Sequence, residues 1–351
     1  FSLTASHSES PAFKIKPDPE IPLEGCYIKL NIEKYGGMLL STWLDRPLSV
    51  AGRVTVSTDD GIETRLVNID RDLLLIPNLA IHMCRSANEG IALNPQKDML
   101  PLFGDEKAAG SFWPAIAENA GVSVSDILGS DLFLYCRTPG TVWGSQGEFV
   151  SSPRLDDLQC AYATLRGFLA SKPEEFISVY ALFDNEEVGS GTKQGADSTF
   201  LEEFLEIVLE NVYPDKNRLW KRSFYQNSFL LSADNGHAVH PNHPEKTDPT
   251  NRPYLNGGVV LKYNGSQKYT TDGYSAAIVR QICNTWEIPL QTFANRSDIA
   301  GGSTLGNIST AHVSIPSADV GLAQLAMHSA FETAGVKDTE ALAQLAEHLF
   351  V

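Results

Sequence analysis

The stretch "EFISVYALFDNEEVGSG", residues 175–191, decides the fold of this chain. Its first half is a continuous apolar run, 175–183, which is typical of a central parallel strand buried on both faces. The run leads into two adjacent carboxylates, Glu186 and Glu187. Like charges repel, so either a cation holds the pair at the strand end or the pair belongs to a solvated turn. The stretch predicts an α/β domain and places a candidate functional group at the edge of its sheet.

The sequence around this stretch alternates between helix and strand patterns. Residues 151–172 carry large apolar side chains at helical spacing, and residues 198–212 and 338–350 have the same amphipathic pattern. Residues 228–234 form a second buried strand pattern, and the Asn-Gly pair within 259–269 predicts a hairpin. This alternation predicts an α/β fold, with a mixed central sheet flanked by helices.

Residues 18–147 differ in pattern from the rest of the chain. Short strand-like runs are separated there by Gly, Asp and Pro, and "STDDG" at 57–61 predicts a hairpin turn. We therefore expect 18–147 to be a β-rich domain inserted into the α/β domain. The α/β domain would then consist of residues 1–17 and 148–351.

Composition excludes some classes of partner. A formal net charge of −16 argues against nucleic acid or an anionic membrane as the main partner, because both require basic surfaces. Five cysteines without CxxC spacing indicate reduced thiols and a cytoplasmic protein. The sequence begins at Phe1 inside a strand-like stretch, so we expect an upstream segment to be missing. Vacuolar or lysosomal targeting therefore stays open as an alternative.

Residues with metal-ligand chemistry recur where the predicted strands and helices meet. They are His7, Glu9, Asp156, Asp157, Glu186, Glu187, Asp234 and His328. Ligand sites in open α/β sheets form outside the carboxyl ends of strands. Imidazole and carboxylate suit Zn²⁺, and three carboxylates (Asp156, Glu187 and Asp234) would leave two zinc ions with enough positive charge for one hydroxide. In this hypothesis a metal binds Glu187, and Glu186 acts as general base.

Each of these residues also has an ordinary structural explanation. Adjacent glutamates after a strand are common in solvated loops. Asp156 suits the start of a helix because of the helix dipole. Asp234 could be a turn residue, His7 could belong to a capping stretch, and His328 could be a core histidine. Spacing alone leaves both explanations open.

Several long motifs resemble those of one known family. In chain order they are "ASHSESP", "YGGMLLSTWLDRPLSVAGRV", "LAIHM", "PRLDDL", "LFDNEEVGS", "SADNGHAVHPN" and "LAQLAMHS". They are similar to motifs of the aspartyl aminopeptidases, co-catalytic zinc metallopeptidases that include yeast vacuolar aminopeptidase. The resemblance implies a zinc-exopeptidase-like fold and two zinc ions per subunit, with Mn²⁺ or Co²⁺ as alternatives. It also implies one base, Glu186, and five metal ligands: His7, Asp156 (bridging both ions), Glu187, Asp234 and His328.

The chain departs from the family pattern at two of these motifs. The family usually has Asp two residues after the histidine ligand, where it orients the imidazole, and this chain has Glu9. The family commonly has Asn after the bridging Asp, and this chain has Asp157. We expect Glu9 to keep the orienting role and Asp157 to add negative charge near the metals.

The resemblance also implies residues beyond the metal ligands. His82, in "LAIHM", would enter the active site of a neighbouring subunit. Lys262, His237 and Gly302 would contact the substrate. The inserted domain would mediate dimerisation, and dimers would build a dodecamer.

The predicted function is a metallo-aminopeptidase that removes N-terminal residues from peptides. The resemblance implies a preference for Asp or Glu at the N-terminus of the substrate. Three alternatives stay open: a preference for neutral residues, a deacylase on the same two-metal scaffold, and a non-enzymatic assembly or cargo protein. No nucleic-acid or membrane partner is expected.

Overall fold

The computed structural model describes residues 1–350, apart from the side chain of Arg218. The chain forms two compact units. Unit 1 contains Phe1–Ser10, Gly140–Met327 and the residues from Glu332 onward. Unit 2 contains Pro11–Pro139 and His328–Phe331.

The strands are numbered in chain order. They are β1 (Ser2–His7), β2 (Ala12–Leu23), β3 (Tyr27–Tyr35), β4 (Leu48–Thr58), β5 (Gly61–Asn68), β6 (Leu102–Asp105), β7 (Ile127–Cys136), β8 (Thr141–Trp143), β9 (Phe149–Ser152), β10 (Ser178–Phe183), β11 (Phe229–Ala233), β12 (Gly236–His237), β13 (Val259–Tyr263), β14 (Leu290–Ala294), β15 (Ser317–Leu325) and β16 (Glu332–Gly335).

The helices are numbered in the same way. They are α1 (Pro95–Asp98), α2 (Phe112–Ala120), α3 (Leu155–Ala170), α4 (Phe200–Val212), α5 (Arg218–Gln226), α6 (Gly273–Thr285), α7 (Leu305–Ser309) and α8 (Asp338–Leu349). Within residues 1–350, none of them has both the length and the apolar character needed to cross a membrane.

Unit 1 is built on a ten-stranded mixed sheet whose main path runs β10-β1-β11-β15-β16-β9-β8. The strands β10, β1, β11 and β15 are parallel, and all six residues of β1 are buried, as expected for a strand covered on both faces. The register places His7 beside Phe183 and Ala5 beside Ser232. Three parallel strands therefore end at nearly the same level, which brings together the residues that follow them.

Helices cover both faces of this sheet. One apolar core joins the sheet to α3, α6 and α8, and a second joins it to α4 and α7. Neighbouring residues of β11 divide between the two cores, since Leu231 faces the first and Leu230 the second. A Cβ on Gly167 of α3 would lie only 2.5 Å from the Cβ of Ala346 in α8. The missing side chain at Gly167 is therefore what allows these two helices to pack closely.

Unit 2 is a six-stranded antiparallel sheet with the order β5-β4-β7-β2-β3-β6. The predicted hairpin turn at 57–61 is confirmed, because β4 and β5 pair directly around it. Its core joins the inward residues of the sheet to α2, including Phe112 and Ile116. The mixed α/β fold class is also confirmed, and the β-rich part is confined to unit 2.

Two predicted domain boundaries and one predicted hairpin differ from the structure. The predicted boundary after residue 17 falls inside β2, whose cross-strand pairing keeps it wholly in unit 2. The predicted boundary after residue 147 falls between β8 and β9, which both belong to unit 1. The hairpin predicted within 259–269 is wrong, because β13 pairs instead with β14 and β15, which are distant in sequence.

Candidate metal centre

The candidate metal centre lies where β1, β10 and β11 end in unit 1. His7 is the last residue of β1, and Asp234 follows β11 directly. Glu186 and Glu187 lie in a single 3₁₀ turn, Glu186–Val188, just after β10. Asn185 precedes that turn with a φ of 61°, a left-handed conformation that asparagine tolerates. Asp156 is contributed by the first turn of α3.

The His7 ring is held in a defined orientation. It is 1% exposed, and its Nδ1 lies 2.9 Å from the main-chain carbonyl of Glu9. A carbonyl only accepts hydrogen bonds, so Nδ1 carries the proton. Nε2 then faces Asp156 Oδ1 at 3.6 Å and Asp234 Oδ1 at 3.9 Å. The ring is therefore aimed as a ligand that reaches the cluster through Nε2.

Glu9 connects two of the predicted ligands. Its carbonyl orients His7, its Oε2 lies 3.5 Å from His7 Nδ1, and its Oε1 accepts the main-chain N–H of Glu187 at 3.0 Å. Because the carbonyl is the nearer acceptor, the extra methylene of Glu9 leaves the orientation of His7 intact. The carboxylate is free to fix the turn that carries Glu187.

The first turn of α3 is fixed through its main chain and through Asp157. The N–H of Asp156 donates to Glu332 Oε2 at 2.9 Å, and its carbonyl accepts the Ser10 hydroxyl. The Asp157 carboxylate accepts two main-chain N–H groups, from His7 and Asn235, both at 3.2 Å. These bonds leave the Asp156 side chain directed toward His7, so Asp157 braces the backbone of the site.

Two groups of donor atoms in unit 1 are close enough to hold a metal ion. One contains His7, Asp156 and Glu187, and the other contains His7, Asp157 and Asp234. Within each group the donor atoms lie within 4.8 Å of one another. Imidazole nitrogen and carboxylate oxygen are the donors that zinc prefers in catalytic sites. The donor set therefore fits zinc.

Protonation in the cluster reflects its excess of negative charge. Burial raises the pKa of Glu186 to about 7, and the carboxylates of Asp234 and Asp156 add to this effect. Burial and the same neighbours raise the pKa of Asp157 well above its usual value. Burial would lower the pKa of His7, but hydrogen bonds to Asp156 and Glu9 outweigh it and raise the pKa well above its usual value. Crowded carboxylates of this kind favour binding of a cation.

A family model described as aminopeptidase I zinc metalloprotease (M18) matches residues 1–350. The chain belongs to the M18 peptidase family. The resemblance to this group of zinc aminopeptidases is thus confirmed, and the protein is a metallo-aminopeptidase.

Individual M18 proteins agree in both sequence and structure. A probable M18 family aminopeptidase 2 from Clostridium novyi is 47% identical over 344 residues, which cover 96% of this chain and 79% of the relative. Ape4, solved in complex with Nbr1, is 34% identical with a TM-score of 0.95, over 100% of this chain and 71% of Ape4. The S. cerevisiae mApe1 dodecamer is 28% identical with a TM-score of 0.84, over 99% of this chain and 78% of mApe1.

Unit 1 of this M18 peptidase contains a cavity of about 440 Å³, and its lining includes Gln324, the residue that contacts Asn235. Two of the predicted substrate residues, His237 and Gly302, line it together with Lys246 and Arg296. The third, Lys262, is 2% exposed, and its ammonium donates to the carbonyl of Asn235 at 2.8 Å. His237 and Gly302 therefore line this cavity, whereas the Lys262 ammonium is buried against Asn235, and substrate contact by all three stays a prediction.

Two predicted site residues of this M18 peptidase belong to unit 2. His328 has a φ of 64°, and its carbonyl accepts the N–H of Leu39 at 3.0 Å. His82 is exposed, in contrast to the alternative of a buried histidine. The proposed role of His82 concerns a neighbouring subunit, and both roles stay predictions.

Sequence reasoning missed three side chains around the centre. Glu332 holds the N–H of Asp156, Gln324 lies against Asn235, and Asn235 bonds to several segments at once. Asn235 lies in the motif "SADNGHA", where it follows the predicted ligand Asp234, and this adjacency is the one sequence signal that could have found it. Gln324 lies in the motif "LAQLAMHS", four residues before His328, whereas Glu332 lies in a strand with no motif to distinguish it.

Proposed function

We propose that this M18 aminopeptidase binds two zinc ions and removes acidic N-terminal residues from peptides. Asp156 would bridge the ions, with His7 and Asp234 on one side and Glu187 and His328 on the other. The observation that carries the proposal is the convergence of His7, Asp156 and Glu187 donor atoms within 4.8 Å in a buried cluster. Asp157 is the competing ligand, but its two oxygens already accept main-chain N–H groups.

The chemistry divides between the ions and the side chains. Bound zinc supplies a Lewis acid and lowers the pKa of a water molecule. Glu186 would take a proton from the attacking water and return it to the leaving amine. Glu9 keeps His7 and the Glu187 turn in position. The crowded carboxylates also suit the free α-amino group of a peptide, which favours an exopeptidase.

The acidic preference is supported by the charges that line the cavity. The chain carries a net charge of −16, yet this cavity is lined by His237, His240, His243, Lys246 and Arg296. Asp248 also lines the cavity, and Arg296 is paired with Asp298, so a side-chain carboxylate of the substrate would meet donors there and would compete with these two carboxylates for them. Lys262 would contribute only through its field, because its ammonium is buried against Asn235.

A substrate panel tests this function. The metal-free enzyme, prepared with a chelator, should be inactive and should regain activity with Zn²⁺, Mn²⁺ or Co²⁺. One charged hydrogen bond gives a selectivity of about tenfold or more, so Asp- and Glu-p-nitroanilide should be hydrolysed at least that much faster than Ala- or Leu-p-nitroanilide. Faster hydrolysis of the neutral substrates would overturn the acidic preference. Faster hydrolysis of N-acetylated amino acids would identify a deacylase instead.

We also propose that the subunits assemble and exchange His82. A solved relative, mApe1, is a dodecamer, and His82 is exposed in unit 2. In such an assembly His82 would help stabilise the oxyanion in a neighbouring active site.

Subunit mixing tests the exchange. His82→Ala and Glu186→Gln should each be nearly inactive, but co-expressed they should recover activity. A mixed pair contains one site with both an intact Glu186 and an intact His82 from its neighbour. The assembly should have twelve times the mass of the 38.3 kDa chain. A monomeric enzyme of full activity, or a mixture that stays inactive while each variant assembles, would contradict the exchange.

A further inference from the structure

Asn235 is a buried side chain with several hydrogen bonds close to the centre. It is 2% exposed and follows the predicted ligand Asp234 directly. Its main-chain N–H donates to Asp157 Oδ1 at 3.2 Å, and its carbonyl accepts the Lys262 ammonium at 2.8 Å. The main chain next to Asp234 is thus held from two sides.

The Asn235 side chain extends in the opposite direction, to the start of α3. Its Nδ2 lies 3.1 Å from the Leu155 carbonyl, 3.1 Å from Gln159 Oε1 and 2.7 Å from Gln324 Oε1. Two N–H groups therefore serve three acceptors. Its Oδ1 accepts the thiol of Cys160 at 3.0 Å. One buried amide thus joins the end of β11, the start of α3 and β15.

This arrangement spans the two segments that carry Asp156 and Asp234. Leu155 precedes Asp156, and Asn235 follows Asp234, so the bond from the Asn235 amide to the Leu155 carbonyl runs from one segment to the other. Two glycines leave room for the side chain of Lys262, whose ammonium donates to the Asn235 carbonyl. A Cβ on Gly236 would lie 3.3 Å from Lys262 Cε, and one on Gly321 would lie 2.9 Å from it.

We propose that Asn235 is a positioning residue that sets the separation between Asp156 and Asp234, and so the geometry of the two-metal site. The inference rests on the metal site of the proposed function. It adds that the site depends on a neutral amide that touches neither substrate nor metal. A purely structural asparagine would stabilise the fold without affecting metal affinity.

The test is metal binding by the full-length protein. Loss of outer-shell partners typically weakens metal binding about 10- to 100-fold, and we expect Asn235→Ala to weaken zinc binding by that factor in competition with a chromophoric chelator. The absorption spectrum of the Co²⁺ form should also change, because the ligand geometry relaxes. Gln159→Met removes one of the three acceptors of the Asn235 amide, together with a hydrogen bond to Thr339, and should weaken zinc binding by about 3- to 10-fold.

Asn256→Gly is the matched control. Asn256 also uses its amide to join separate segments, through the Glu148 carbonyl and the Lys337 N–H, but it bonds to none of the predicted ligands. Its φ of 62° suits glycine. This variant should lower thermal stability and leave zinc affinity and the Co²⁺ spectrum unchanged.

The outcomes separate the inference from the proposed function. Wild-type zinc affinity and an unchanged Co²⁺ spectrum in Asn235→Ala would overturn the positioning role. If Asn235→Ala does not fold, Gln159→Met decides, and wild-type affinity there has the same meaning. A loss of affinity in Asn256→Gly equal to that in Asn235→Ala would also overturn it. If the unmodified protein binds no zinc, the proposed metal site itself fails.

Discussion

Replacing Glu186 by Gln should lower kcat by about 10²–10⁴-fold, the usual contribution of a positioned general base, while the zinc content stays unchanged. Gln has the shape of Glu but cannot take up a proton. The 3₁₀ turn is held by a hydrogen bond from the main-chain N–H of Glu187 to the carboxylate of Glu9, which does not involve the Glu186 side chain. Steady-state hydrolysis of Asp-p-nitroanilide and metal analysis of the same sample measure the two quantities.

The control for this prediction is Glu175→Gln, the same change at an exposed position before β10. It should leave both kcat and zinc content as in the unmodified enzyme. Full activity in Glu186→Gln would contradict the assignment of Glu186 as the general base. A simultaneous loss of zinc would instead indicate that Glu186 is itself a ligand.

The convergence of the site could be predicted because it depends on strand order and strand ends. An apolar run followed by polar residues marks where a parallel strand ends, and parallel strands end at one edge of a sheet. The register of β1 with β10 and β11 brings these side chains together, because it places His7 at the level of the residues that follow β10 and β11. The sequence contains the residues of the site, but it does not contain this register.

The orientation of α3 could not be predicted in the same way. Its large side chains at helical spacing correctly predict a helix, but Tyr162 and Leu169 are 58% and 73% exposed. The buried face consists of small residues such as Ala163 and Gly167. Close packing against α8 requires small side chains on this face of α3. The helical spacing of large apolar residues predicts instead that those large residues are buried.

The division of the chain shows a related limit. His328 is separated from unit 2 by nearly two hundred residues of sequence, and nothing local assigns it to that unit. Asn235 and Glu332 likewise act through bonds to distant segments, which a local motif does not reveal. Sequence patterns predicted the candidate ligands and the candidate base, and they missed most of the groups that hold these residues in place.

Replacing Asp156 by Asn should remove both zinc ions at low free zinc and lower kcat/KM by more than the 10- to 100-fold cost of outer-shell substitutions. Asn keeps the shape but removes the negative charge from a carboxylate proposed to serve two cations. The fold should survive, because the bonds that fix this residue to Glu332 and Ser10 involve its main chain. Zinc content after dialysis at fixed free Zn²⁺ is the direct measurement, and Asp197→Asn, an exposed change beside His312, is the control.

Thermal unfolding of Asp156→Asn distinguishes loss of a ligand from loss of the fold. With a chelator present, the variant should unfold at a temperature close to that of the unmodified protein, because the substitution relieves repulsion with Asp157 and Glu186 but also removes the charged contact with His7. With zinc present, the unmodified protein should gain stability through binding and the variant should not.

His328→Ala should lose one zinc and keep the other. If either Asp156→Asn or His328→Ala retains two zinc ions, the substituted residue is not a required ligand. Retention in Asp156→Asn would mean that the two cations do not share this carboxylate.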